Sequence, residues 1–363
     1  MNAPSLTALR GTAVTAGKVR VLIVDDSVVI RHLLREALQS DPAIDVVGAE
    51  ANGVAALERI PQVRPDLVTL DIEMPQMDGL ETLRRIRKQY PKLRTVMFST
   101  LTTRGAAATF EALSLGADDY VAKASNAGRL DESMAALRAE LLPKIRQFFS
   151  IGARPAVAGA PARAAGRTGA PAAKPLVVAI GVSTGGPNAL ATVLPQLPVS
   201  YPIPVLVVQH MPPMFTRLLA ERLDGISPLS VVEAEDGMEI AAGRVVVARG
   251  DHHLRVRRSP RGMIVALDQG PRENSCRPAV DVLFRSIAET YGGAVLAVVL
   301  TGMGTDGLRG ARAIKAAAGY SIVQDQSTSV VWGMPGAVAE AGLADETLPL
   351  DQIPAALRRL AER

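Results

Sequence analysis

Short apolar runs alternate with helical patterns along this chain, and they do so twice. In the first half the runs are VRVLIV (Val19–Val24), VVGAEA (Val46–Ala51), DLVTLD (Asp66–Asp71), RTVMFST (Arg94–Thr100) and DYVAK (Asp119–Lys123). Each has the length and apolar character of a strand buried on both faces. Between them apolar residues recur at helical spacing, as in Ile30, Leu33, Leu34, Ala37 and Leu38, and the last helix is expected from about Arg129 to Phe149. Five strands alternating with five helices predict a doubly wound parallel sheet. The second half repeats the pattern with PLVVAIG (Pro175–Gly181), IPVLVVQ (Ile203–Gln209) and AVLAVVL (Ala294–Leu300). Its middle, Ser230–Asp268, is β-rich and turn-rich, and is expected to form antiparallel strands or a hairpin. The fold class is therefore α/β in both halves, with a mostly parallel sheet in the second.

The halves are separated by GARPAVAGAPARAAGRTGAPAAKP (Gly152–Pro175), whose composition is that of a linker. The expected organisation is an N-terminal extension over 1–17, a first domain over 18–140, a linker over 141–174 and a second domain over 175–362. A length of 363 residues fits two domains of roughly 150 residues each. Aromatics are only 3% of the chain, so the cores must be built from Val, Leu, Ile and Ala. No apolar run reaches the roughly 18 residues of a membrane span, so no direct membrane insertion is expected. The first residues lack the apolar stretch of a signal peptide. Cys276 is the single cysteine, which excludes an internal disulfide and a zinc knuckle. These features predict a soluble, cytoplasmic protein.

A net charge of +4 raises the question of nucleic acid. Residues 18–140 carry 16 basic against 18 acidic side chains, and 181–363 carry 17 against 18. The excess lies in 141–180, with six basic residues and no acid. It is read as a solvated linker rather than a binding face, and no nucleic-acid partner is expected.

In an open parallel sheet, ligands bind beyond the carboxyl ends of the strands. Asp25 and Asp26 follow the first strand and Asp71 ends the third. Ser99 and Thr100 end the fourth, and Lys123 ends the fifth. Crowded carboxylates favour a hard divalent cation such as Mg²⁺, beside which a carboxylate can become an acyl phosphate. VLIVDDS, LDIEMPQMDGL, FST and YVAK resemble the receiver domain of two-component response regulators, which has a flavodoxin-like fold. The resemblance implies that Asp71 accepts the phosphoryl group. Asp25, Asp26, Asp71 and the Glu73 carbonyl would then surround Mg²⁺. It makes Ser99 the hydroxyl that closes on the phosphate, Lys123 its ion-pair partner and Tyr120 the reorienting aromatic. The sequence departs from the family at Ala124, where receivers usually carry proline. His32 is read as a partly buried helix residue.

In the second half, Gly181-Val182-Ser183-Thr184-Gly185 satisfies G-x-S-x-G between a strand and a helix, the context of a nucleophile elbow. Backbone N–H groups at such a helix start can stabilise an oxyanion. The serine needs a base. His210 follows the second apolar run and so reaches the same sheet edge, whereas His252 and His253 are read as surface or structural. Asp306, in the loop after AVLAVVL, supplies an orienting carboxylate. The order Ser…His…Asp differs from that of α/β-hydrolases. GVSTGG lacks the GK[ST] of a P-loop, and no acid lies about 20 residues on for a dinucleotide fold. Cys276 lacks the strand–elbow context of a nucleophile.

VSTGGP, QHMPPMFT, CRPAVDVLFRS, TGMGTDG and VWGMPGAV resemble the catalytic domain of the chemotaxis protein-glutamate methylesterases (CheB-type), over about 175–362. The whole chain follows that family's receiver–linker–esterase order. The resemblance places the triad on Ser183, His210 and Asp306, and an oxyanion donor on the Met303 backbone N–H, to which we add Thr184. Arg249 stands where the family commonly has proline, in what should be a surface turn. The implied activity is hydrolysis of glutamate γ-methyl esters on chemoreceptors, with deamidation of glutamines by the same acyl chemistry and no cofactor for hydrolysis. A chemotaxis histidine kinase is the implied phosphodonor. The alternatives are a DNA-binding response regulator, a non-catalytic receptor-binding module of the same fold, and a triad esterase for another substrate.

Overall fold

The computed structural model describes residues 17–100, 102–123, 130–149, 151 and 171–362. Ala124 and most of the Gly152–Pro175 segment lie outside these residues.

The first unit is a five-stranded, all-parallel sheet of β1 (Val19–Val24), β2 (Ile44–Glu50), β3 (Leu67–Asp71), β4 (Arg94–Thr100) and β5 (Asp119–Lys123), in the order β2-β1-β3-β4-β5. The helices between them are α1 (Val28–Gln39), α2 (Gly53–Val63), α3 (Gly79–Gln89) and α4 (Thr103–Ser114), and α5 (Leu130–Phe148) follows β5. The first four start at side-chain caps from Ser27, Asn52, Asp78 and Thr102, whose oxygens accept a backbone N–H of the first turn.

The boundary drawn at residue 140 falls inside α5. Leu141 and Ile145 are fully buried against Val21, Ile23, Leu38 and Val121, so this helix belongs to the first unit through Phe148. Two of the six basic residues assigned to the linker are consequently on a folded face. Lys144 pairs with Asp119 at 3.2 Å, and Arg146 donates to Asp41 at 2.6 Å. His32 is also corrected: its side chain is 75% exposed.

The second unit is a seven-stranded, all-parallel sheet in the order β14-β13-β12-β6-β7-β9-β8. Its strands are β6 (Val177–Val182), β7 (Val205–Gln209), β8 (Ser230–Glu233), β9 (Arg244–Val247), β12 (Val295–Val299), β13 (Tyr320–Gln324) and β14 (Glu346–Leu348). The turn-rich middle divides. β10 (His253–Ser259) and β11 (Gly262–Asp268) form the expected antiparallel hairpin, whereas β8 and β9 join the main sheet in parallel. The adjacent Val residues of SVVE and RVVV suit a sheet edge as well as a hairpin; α7 (Pro213–Asp224) carries the chain from β7 to β8, and residues 234–243 bring it back so that β9 pairs in parallel between them. The remaining helices are α6 (Gly186–Val193), α8 (Val280–Tyr291), α9 (Leu308–Ala316), α10 (Met334–Glu340) and α11 (Ile353–Ala361). No helix among the described residues is long and apolar enough to cross a membrane.

Candidate active site

β6 lies near the middle of the larger sheet. From it the chain passes to β7 on one side and later reaches β12 on the other. Strand order reverses there, which opens a crevice at the carboxyl ends of the strands. Ser183 follows β6, His210 follows β7, and Asp306 lies between β12 and α9. Three neighbouring strands thus deliver the three predicted side chains to one edge.

The loops are tied together by their own polar groups. The Ser183 N–H donates to Thr301 O at 3.0 Å, and Thr301 Oγ1 donates to Thr184 O at 2.9 Å. Buried Gln209 donates through Nε2 to the carbonyls of Ser183 (3.0 Å) and His210 (3.3 Å). Two glycines make this approach possible. Gly185 has φ +77°, a left-handed turn that starts α6. At Gly302 a Cβ would sit 2.9 Å from Ser183 Cβ and overlap Met334 Sδ, so only glycine lets the loop after β12 close on the serine.

His210 Nε2 lies 2.8 Å from Asp306 Oδ2. This contact occupies Nε2, so Nδ1 is the nitrogen that would serve the serine, although no hydrogen bond between His210 and Ser183 is present among the described residues. Asp306 is buried and heavily solvated by the protein. Its Oδ2 accepts the Val280 N–H (2.7 Å), and its Oδ1 accepts those of Asp281 (3.0 Å) and Gly307 (3.0 Å) and the amide of Asn274 (2.8 Å). Burial alone would raise its pKa, but the His210 hydrogen bond and charge and the backbone N–H donors of Asp281 and Val280 hold it below the ordinary carboxylate value. For His210, burial opposes the charged form, yet hydrogen bonds to Asp306 and Cys276 outweigh it and raise the pKa to about 10.

Ser183, Thr184, His210, Met303, Asp306 and Cys276 line one cavity of about 630 Å³. His253 is buried, with Nε2 on Pro271 O at 2.9 Å, a structural role as expected. Arg249 is exposed beside a turn, its carbonyl accepting the His252 N–H. The sequence reading missed Gln209, Asn274 and Asp281. Gln209 stands directly before His210, where a polar residue ending a buried strand is a signal in itself.

In the first unit, Asp25, Asp26 and Asp71 each offer an oxygen within 4.8 Å of the others. Lys123 Nζ lies 2.9 Å from Asp25 Oδ2 and 2.8 Å from Asp71 Oδ1. Burial, opposed by Lys123, raises the Asp71 pKa to about 6. Ser99 and Glu73 line the same depression as Asp26, Asp71 and Lys123. The Ser99 hydroxyl donates to Gly105 O at 2.9 Å, and the Glu73 side chain points to Arg104 at 3.7 Å, which leaves its carbonyl as the group of interest.

Tyr120 is not at this site but at the junction of the units. Its ring stacks on Phe215 of α7, with centroids 4.8 Å apart and planes 3° from parallel. Phe110 of α4 packs against the same Phe215, and Asn188 of α6 donates to Leu113 O at 2.8 Å. Asp119, Tyr120, Ala122, Glu140 and Lys144 accordingly form one wall of the cavity that holds Ser183 and His210.

Comparison with known proteins agrees with this architecture. Residues 21–135 match the family model described as response regulator receiver domain, and residues 178–357 match that described as CheB methylesterase. A Nocardioides protein named protein-glutamate methylesterase/protein-glutamine glutaminase is 52% identical, over 95% of this chain and 96% of its own. A protein of the same name from Trichodesmium erythraeum is 48% identical, over 93% of this chain and 97% of its own. The crystal structure of the Thermotoga maritima CheB methylesterase catalytic domain is 46% identical, with a TM-score of 0.51, covering 52% of this chain and all of that one. The chain belongs to the CheB family, in which a response regulator receiver domain precedes a methylesterase domain.

Proposed function

We propose that this protein is a phosphorylation-regulated serine hydrolase that demethylates glutamate γ-methyl esters on methyl-accepting chemoreceptors and deamidates receptor glutamines. The observation that carries the reading is the His210–Asp306 pair, 2.8 Å long, in the cavity that Ser183 also lines.

His210 Nδ1 takes the proton of the Ser183 hydroxyl, and Oγ attacks the ester carbonyl. The new C–O bond places charge on the carbonyl oxygen, toward the backbone N–H groups of Met303 and Thr184. Collapse breaks the bond to methoxide, which leaves as methanol with the proton from His210. Water then attacks the glutamyl ester of Ser183 as His210 takes one of its protons, and His210 gives that proton to the departing serine oxygen, which leaves the free glutamate. Asp306 fixes the imidazole tautomer and stabilises the imidazolium. A glutamine amide follows the same course and releases ammonia.

Asp25, Asp26 and Asp71 form an all-oxygen set that fits Mg²⁺, and Glu73, which lines the same depression, would add its carbonyl. When bound, the ion neutralises charge on an incoming phosphoryl group. Asp71 is the acceptor, Lys123 its ion-pair partner, Ser99 the hydroxyl that turns to the phosphate and Tyr120 the aromatic that reports it. A chemotaxis histidine kinase is the natural phosphodonor, and a cytoplasmic location follows from substrates on cytoplasmic receptor helices. Because the receiver walls the esterase cavity, the unphosphorylated form is read as closed, and phosphate on Asp71 as weakening that closure.

The test is methanol release from methylated receptors, with and without Mg²⁺ and acetyl phosphate, for the wild type and Ser183→Ala. Release that rises with phosphodonor and is lost by orders of magnitude in Ser183→Ala supports the reading. Receptor binding without methanol release would identify a non-catalytic module instead.

A further inference from the structure

Asp306 shares a donor with a second buried carboxylate. Asn274 Nδ2 lies 2.8 Å from Asp306 Oδ1 and 2.9 Å from Asp281 Oδ2, so its two N–H bonds serve one carboxylate each. Asp281 is fully buried, and its other oxygen accepts the Gly310 N–H at 2.6 Å. It makes no ion pair among the described residues. Burying two carboxylates side by side is costly unless each oxygen is met by a donor.

Asn274 meets that need from a strained backbone. Its φ is +52° and that of Ser275 is +64°, a left-handed pair that asparagine tolerates better than most residues. The amide lines the cavity, but both of its hydrogens are turned to carboxylates rather than to the space where a substrate would lie. The charged and titratable groups around the pair are His210, Cys276, Glu273, Arg285 and Arg309. Glu273 is neutralised by Arg285 at 2.6–2.8 Å and approached by Arg309 at 3.8 Å.

We propose that Asn274, backed by Asp281, is a positioning residue. It pins Asp306 Oδ1 so that Oδ2 stays aimed at His210 Nε2, and so sets the basicity of the histidine. The proposal rests on the triad reading above and adds a determinant to it. A partner one step removed from the reacting groups is worth about 10–100-fold in activity where it orients a metal-ligating histidine, and the same scale is expected here.

The experiment uses the full chain. Asn274→Gly removes the amide without backbone strain, and Asp281→Asn forces an N–H₂ against one of two existing donors. For each, kcat and KM are measured by methanol release with acetyl phosphate present. The His210 ring is also titrated by NMR without substrate, and folding is checked by near-ultraviolet circular dichroism. The expected result for both is a kcat about 10–100-fold lower on the alkaline plateau, where His210 is neutral in every form, KM within about twofold of wild type, and a His210 titration moved to lower pH. The double substitution should cost little more than the worse single one, since the residues act as one unit. A wild-type His210 titration in folded Asn274→Gly overturns the proposal, as does a loss confined to KM, which would make Asn274 a substrate contact. The NMR arm separates the two readings: it answers for Asn274 even if Ser183→Ala shows the triad assignment to be wrong.

Discussion

Asn188 offers a clean way to loosen the closed form. Its side chain, in the first turns of α6, donates to the Leu113 carbonyl at the end of α4, across the junction of receiver and esterase. Asn188→Ala removes that contact while leaving the Tyr120–Phe215 stack and the acyl-transfer residues in place. A hydrogen bond of this kind has a net worth of about 0.5–1.5 kcal/mol. At about 1.4 kcal/mol per tenfold, the open fraction should rise roughly 2–12-fold. While the closed form dominates, methanol release without phosphodonor is proportional to the open fraction and should rise by the same factor. The rate with acetyl phosphate should not change, because the contact is already lost in the open enzyme. An unchanged basal rate would refute the reasoning. Equal scaling of both rates would too, since it would place Asn188 in the chemistry rather than in the closure.

Other outcomes follow from the same geometry. His210 acts as a base only when neutral, and its pKa is raised to about 10, so the hydrolysis rate of the wild type should climb with pH through the alkaline range. Asp306→Asn removes the group that opposes burial, so this limb should move to lower pH while the plateau falls by about 10⁴, as a pH–rate profile will show. Asp71→Asn, or EDTA on the wild type, should abolish stimulation by acetyl phosphate and leave the basal rate intact. Leu296→Ala, in the fully buried β12, should cost about 2–5 kcal/mol, read from the denaturant midpoint.

The strand ends carrying Asp71, Lys123, Ser183 and His210 were legible because each closes a short, mostly apolar run, and such a run can only be a buried strand or a helix too short to stand alone. β13 and β14 left weaker marks: YSIVQ mixes polar and apolar positions, and ETL is three residues of edge. The reach of α5 to Phe148 was legible from its apolar spacing, but the domain boundary was drawn through it because the acid-free basic run from Lys144 onward has the charge pattern of a linker. Asn274 and Asp281 were invisible for a different reason. Their meaning depends on Asp306, 32 and 25 residues further on, and no local period connects them. Likewise nothing in the run PMFTRLLAERLD shows that Phe215 faces another domain's Tyr120.

Phe215 is fully buried and Phe110 nearly so, and with Tyr120 they join the cores of the two units into one apolar cluster. Parting the units must wet these rings. Docking is therefore in part an oil-from-water event, with the negative heat-capacity change that such burial brings. That driving force fades on cooling. The idle enzyme should leak relatively more in the cold, and its stimulated form should carry a sticky aromatic patch that the resting form conceals.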